Sequence, residues 1–171
     1  ETDEPEFAFK FLEKNERKIM NSGGVQEFGR RDELHQQRSK YWVIIVDDEE
    51  AIRNSVGQFL FEEGYQVTAC SDAQTALNIC RSSHADGDQQ TQSSLPDAIV
   101  ADVRMPEIDG LQFLRILRSD PQLVAVPVVL LTAKSMTEDR VQGYKAGADA
   151  YLPKPFDPEE LVVIVDNIIA R

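Results

Sequence analysis

From Tyr41 onward, short apolar runs alternate five times with stretches of helical periodicity. That alternation restricts the chain to a parallel α/β sheet. Tyr41–Val46 (YWVIIV) is a continuous apolar run, as a strand buried on both faces requires. Glu49–Glu63 follows with Ile52, Val56, Phe59 and Leu60 at helical spacing, and Gly64 stands where a helix-ending glycine is usual. Tyr65–Cys70 predicts a second strand, and Asp72–Arg81 a second helix capped by Ser71 or Asp72. Asp97–Ala101 is the third strand. The helix over Asp109–Ser119 has a broad apolar face of Leu111, Leu114, Ile116 and Leu117. Val126–Leu131, the helix Ser135–Ala146 closed by Gly147, and a short strand Asp149–Leu152 come next. Asp157-Pro158-Glu159-Glu160 opens the last helix with an N-cap acid, a proline at the first helical position and Glu at the third. Leu161, Ile164, Val165, Ile168 and Ile169 form its apolar stripe. Five βα units predict a doubly wound sheet with helices on both faces. About 130 residues suffice to build such a core.

Five polar residues stand where these strands end. Asp47 and Asp48 follow the first run, Asp102 the third and Thr132 the fourth, and Lys154 lies just past the fifth. The carboxyl ends of the strands are where such a sheet places ligands. Three carboxylates, a hydroxyl and a lysine at one edge are the parts needed to bind a divalent cation and accept a phosphoryl group. Three carboxylates so close cannot all stay ionised without a cation. Mg²⁺ meets that need by taking a few carboxylate oxygens and keeping several waters.

The charge distribution limits the partners. The 171 residues carry a net charge of −12. Residues 1–40 hold 9 acids and 8 bases, and residues 41–171 hold 21 acids and 10 bases. A domain with a net charge of −11 repels phosphate backbones, so no nucleic-acid contact is expected from it. No apolar run approaches the roughly 20 residues needed to cross a bilayer. The opening residues are acidic with no apolar h-region after them, so no signal peptide is expected. Cys70 and Cys80 lie in apolar patterns and read as buried free thiols, because a disulfide framework needs a more Cys-dense chain. His35 and His84 lie in polar stretches without partners at metal spacing and read as surface residues. Ser83–Leu95 is polar and Gln/Ser-rich, and it reads as an inserted surface loop. Residues 1–40 form a separate extension, a linker or a pair of amphipathic helices. Phe7, Phe9, Phe11, Leu12, Ile19 and Met20 stand among its charges, and Asn21-Ser22-Gly23-Gly24 breaks it.

Four stretches carry a resemblance: VDDEE at 46–50, VADVRMPEIDG at 100–110, LLTAK at 130–134 and GADAYLPKPF at 147–156. In this order, each at a strand end, they resemble the receiver domain of two-component response regulators. The resemblance covers residues 41–171. It implies a flavodoxin-like (βα)5 fold with strand order 2-1-3-4-5 and a ligand crevice between strands one and three. It implies that Asp102 accepts a phosphoryl group from a phosphohistidine on a sensor histidine kinase or phosphotransfer protein. Asp48 and Asp102 would coordinate Mg²⁺ directly, Asp47 through water, and the Arg104 backbone carbonyl would complete the protein ligands. Lys154 would supply a cation to Asp102 and the phosphoryl oxygens, followed by a cis bond to Pro155. Thr132 would donate its hydroxyl to the phosphoryl group, and small Ala133 would leave access for the donor. Thr132 and Tyr151 would form the switch, the tyrosine rotating inward as the threonine moves. Met105-Pro106 and Gly110 would shape the loop, while Arg104 and Lys134 would tune phosphoryl lifetime. An acceptor of this kind is not an enzyme beyond slow autodephosphorylation.

The implied readout is a population shift at the face made by the helix over 135–146, the fifth strand and the fifth helix. That face, or the extension, could support a homodimer. Glu138, Asp139, Arg140 and Asp149 fit the ion-pair dimer of DNA-binding regulators. Ala150 replaces a usual acid, and the last helix lacks the usual arginine before its end. The stretch 132–161 also resembles regulators of cyanobacteria and red-lineage plastids, which implies a cytoplasmic or plastid-stromal setting. In those relatives a helix-turn-helix domain often follows the receiver. Two other classes remain. One is a phosphorylation-independent interaction domain on the same fold. The other is an aspartyl-phosphate hydrolase, whose two acids would stand two residues apart after strand one, whereas Asp47 and Asp48 are adjacent.

Overall fold

Successive residues of a buried strand point to opposite faces, so each strand feeds two cores. A computed structural model describes residues 30–85, 95–133 and 137–171. The described elements are α1 (Arg30–Arg38), β1 (Trp42–Val46), α2 (Glu50–Glu62), β2 (Gln66–Cys70), α3 (Ala73–Ala85), β3 (Ala98–Asp102), α4 (Gly110–Ser119), β4 (Val128–Thr132), α5 (Thr137–Ala146), β5 (Ala150–Pro153) and α6 (Pro158–Ala170). All four strand pairings are parallel, in the order β2-β1-β3-β4-β5. The doubly wound fold and its 2-1-3-4-5 order are therefore as the sequence implied. Val43, Ile45, Val100 and Leu131 meet Ile52, Val56 and Phe59 of α2 and Leu161 and Val165 of α6 on one face. Ile44, Val46, Ile99, Ala101 and Leu130 meet Leu77 of α3 and Phe113, Leu114 and Leu117 of α4 on the other.

Most element ends differ from expectation by a residue or two. β3 runs one residue further, so Asp102 lies on the strand, in register with Leu131. β4 begins at Val128 rather than Val126. Pro127 has no N–H for the ladder, and its carbonyl accepts from Ile99 N at 2.9 Å. The second helix continues to Ala85 instead of Arg81, since Ser-Ser-His-Ala holds no breaker and Ser82 Oγ donates to the Asn78 carbonyl at 2.6 Å. Asp72, not Ser71, caps it by accepting from Thr75 N at 2.8 Å. Gly64 has φ +116°, as a helix-ending glycine requires. Asp157 caps α6 by accepting from Glu159 N at 2.9 Å, with Pro158 next. Cys70 and Cys80 are unpaired, and burial pushes both thiols up to about 11. His35 is exposed. Lys134, the aromatic residues of 1–29, and most of the 83–95 loop, His84's side chain included, lie outside what is described.

Candidate functional site

β1 and β3 lie side by side at the centre of the sheet, so the residues at their carboxyl ends converge. Asp47 and Asp102 are buried, at 1% and 5% exposure, while Asp48 is exposed. Each of the three offers a carboxylate oxygen within 4.8 Å of the others. Lys154 Nζ lies 3.3 Å from Asp102 Oδ2 and 3.6 Å from Asp47 Oδ2. The Lys154–Pro155 bond is cis. Thr132 ends β4 on the neighbouring strand, 1% exposed. The structure therefore brings Asp47, Asp48, Asp102 and Lys154 into one cluster and sets Thr132 at the same edge.

The Asp47 carboxylate is held by one oxygen only. Oδ1 accepts from Glu49 N at 2.9 Å, whereas Oδ2 is buried with no hydrogen bond and has Lys154 only at ion-pair distance. A buried carboxylate oxygen without a donor is costly. Burial pushes the Asp47 carboxyl up to about 6. The Asp102 and Asp48 charges add to this, and Lys154 and the Glu49 amide oppose it. Burial also pushes Asp102 above the usual carboxylate range, against Lys154 and the Arg104 N–H. That N–H donates to Asp102 Oδ1 at 3.3 Å. An all-oxygen donor set with an unsatisfied inward oxygen fits a hard divalent cation.

The loop after Asp102 is shaped by contact as well as by charge. A Cβ on Gly110 would stand 2.4 Å from the Asp102 carbonyl oxygen and 2.8 Å from Val103 Cα, so only glycine fits. Glu107 takes φ 65° within the same loop. Asp48, Arg104, Met105, Pro106 and Leu111 line an open groove of about 560 Å³ beside the acidic cluster. The Arg104 side chain is exposed. Tyr151 is buried on β5, opposite Leu130, its ring 6.3 Å from that of Tyr144. Gly143 of α5 makes room for it: a Cβ there would meet the Tyr151 ring at 3.3 Å.

One residue escaped the sequence reading. Arg53 Nη1 donates to the Asp47 carbonyl oxygen at 2.9 Å. With Asp47 N bonded to the Cys70 carbonyl at 3.1 Å, this pins the Asp47 peptide from both sides. A signal was present: Arg53 sits near the amino end of α2, where the helix dipole disfavours a cation.

Fold and site together define a doubly wound α/β domain with a cation-competent acidic cluster at the strands' carboxyl edge. Residues 43–166 match the response regulator receiver domain family. Response regulator Rre1 of Synechocystis sp. is 43% identical over 130 residues, covering 75% of this chain and 52% of that protein. The probable transcriptional regulator ycf29 of Pyropia yezoensis is 34% identical over 131 residues, covering 77% and 54%. Among solved structures, a putative response regulator from Chloroflexus aurantiacus aligns with TM-score 0.68 at 34% identity, covering 77% of this chain and 98% of that one. Chemotaxis protein CheY4 of Vibrio cholerae aligns with TM-score 0.65 at 30% identity, covering 75% and 98%. The chain belongs to the response regulator receiver family, and residues 43–166 are a receiver domain of two-component signalling. It spans about half the length of the curated relatives it matches.

Proposed function

We propose that Asp102 accepts a phosphoryl group from a phosphohistidine on a sensor histidine kinase or phosphotransfer protein. An Asp102 oxygen forms the new bond to phosphorus as the P–N bond breaks, and the imidazole nitrogen leaves with its electron pair. The observation that carries this reading is the convergence of three carboxylates within 4.8 Å, with Lys154 3.3 Å from Asp102. Asp47, Asp48, Asp102 and the Arg104 backbone carbonyl would hold Mg²⁺, which when bound neutralises charge between the carboxylates and the phosphoryl oxygens. Lys154 neutralises the Asp102 side, and the Thr132 hydroxyl donates to the phosphoryl group. Thr132 and Tyr151 then bias the α5–β5–α6 face, which presents exposed Val141 and Tyr144. The chain acts as an acceptor rather than a turnover enzyme.

The readout we infer is control of a partner or output domain. Relatives named as transcriptional regulators support a transcriptional one. A homodimer through the α5–β5–α6 face would differ from the ion-pair type. Asp149 already accepts from Arg118 Nη2 at 3.0 Å and from Val128 N at 2.8 Å within its own chain. The setting is a bacterial cytoplasm or a plastid stroma. Among the described residues no helix is long and apolar enough to cross a membrane.

Acetyl-phosphate labelling, followed by intact mass with and without Mg²⁺, tests the chemistry. Wild type gains one phosphoryl mass only with Mg²⁺, and Asp102→Asn gains none. A folded wild type that stays unlabelled sinks the reading in favour of a phosphorylation-independent interaction domain.

A further inference from the structure

The opposite edge of the sheet carries a second charge cluster, which the phosphoryl chemistry does not use. Arg38, the last residue of α1, reaches past the Gly64 turn to α6. Its Nε donates to Asp166 Oδ1 at 3.0 Å and its Nη2 to Asp166 Oδ2 at 2.7 Å. Its Nη1 donates to both the carbonyl and the carboxylate of Glu63, each at 3.1 Å. The guanidinium carbon lies 5.8 Å from the centre of the Tyr65 ring. The Tyr65 hydroxyl donates to Asp166 Oδ1. Burial first, and then the Asp166 carboxylate, push the Tyr65 phenol up, so it stays a donor. Only a planar, forked cation can make this set of bonds at once. The backbone is shaped to match. A Cβ on Gly64 would stand 2.9 Å from the His35 carbonyl oxygen. Gln66 Nε2 also donates to the Ser39 carbonyl at 2.7 Å.

The described side chains of α1 before Arg38 bury little against the receiver. Glu33, Leu34, His35, Gln36 and Gln37 are all exposed. Leu34 is 47% exposed and Val163 of α6 is 56% exposed, and an open groove of about 470 Å³ lies between them. A helix of nine residues is below the length that holds itself together in water. Among its described side chains none is a buried apolar one, and Arg38 makes the strongest set of contacts.

We propose that Glu63, Tyr65 and Asp166 form a socket for Arg38, and that this side chain fastens α1 to the receiver as a releasable arm. The occupant is α1 of the same chain, joined to β1 by Ser39, Lys40 and Tyr41 alone. Release need not open the sheet, because both apolar cores are built from residues 42–169. The arm is independent of whether Asp102 takes a phosphoryl group.

Hydrogen exchange read by mass spectrometry on the full chain tests this, comparing wild type with Arg38→Gln, Asp166→Asn and Arg38→Lys. Arg38→Gln and Asp166→Asn raise exchange across residues 33–41 at least tenfold and leave β1 and β3 unchanged. Arg38→Lys gives an intermediate rise, because one ammonium cannot span both Asp166 oxygens and Glu63. Unchanged exchange over 33–41 in Arg38→Gln overturns the proposal. So does an equal rise in α1 and the sheet, or a failure of Arg38→Gln to fold, since either makes α1 part of the core. Where Arg38→Gln and Asp166→Asn disagree, Arg38→Lys decides: wild-type exchange there overturns the socket.

Discussion

At the scale of single residues, the acidic cluster sets metal-free stability against function. Asp47 has a folded pKa of about 6, raised from 3.8. An acid whose pKa is raised binds more protons folded than unfolded, so stability falls as pH climbs from about 4 to about 6. Above that window the full penalty remains, roughly 3 kcal/mol for a shift of this size. Asp47→Asn removes it. In chelator-treated protein we expect that variant to melt higher than wild type at pH 7 and at the same temperature at pH 3.5. A variant that melts lower at pH 7 would mean the lost charge had been stabilising. The same variant should lose most of the melting-temperature rise that millimolar Mg²⁺ gives wild type, since binding to the folded state alone is what raises it. The cluster was legible because its members each follow an apolar run. Arg53 was missed: its place near the amino end of α2 hinted that something holds it, but its bond goes to a backbone oxygen and no side-chain pairing rule names that partner.

At the scale of elements, strands were easier to read than their ends. A strand buried on both faces is a continuous apolar run, so β1, β3 and β4 stood out. The extra residue of β3 could not be seen, because Asp102 is polar and the ladder, not the side chain, decides where a strand stops. α3 outran its prediction for the converse reason: polar Ser82 continues a helix by bonding its own backbone. The loop between β3 and α4 is held by backbone contact. Gly110→Ala forces a methyl group to within 2.4 Å of the Asp102 carbonyl oxygen. The obstacle is backbone and cannot rotate away, so we expect a loss of more than about 2 kcal/mol in urea unfolding. The phosphoryl acceptance proposed for Asp102 should suffer as well, because the displaced atoms belong to that residue. A Gly110→Ala protein of wild-type stability would show that the loop can relax.

At the scale of the whole molecule, charge and connectivity matter more than any one contact. Residues 41–171 carry a net charge of −11. Self-repulsion of this size is screened by salt. Raising NaCl from about 10 to about 150 mM should therefore raise the melting temperature of chelator-treated protein. A flat response would mean that the acids are already compensated locally. Sequence alone left residues 1–40 as a linker or a pair of amphipathic helices, because Arg38 and Asp166 are 128 positions apart and no local pattern announces their contact. The strand order has one more consequence. β1 and β3 each have two neighbours, whereas β5 has only β4. Shifting β1, which leads into Asp47, or β3, which ends in Asp102, would strain two ladders, but shifting β5, which carries Tyr151, strains only one. The molecule keeps its clustered carboxylates at the sheet's stiff centre and its tyrosine at the pliant margin, so a disturbance born in the middle finds its cheapest outlet at the edge.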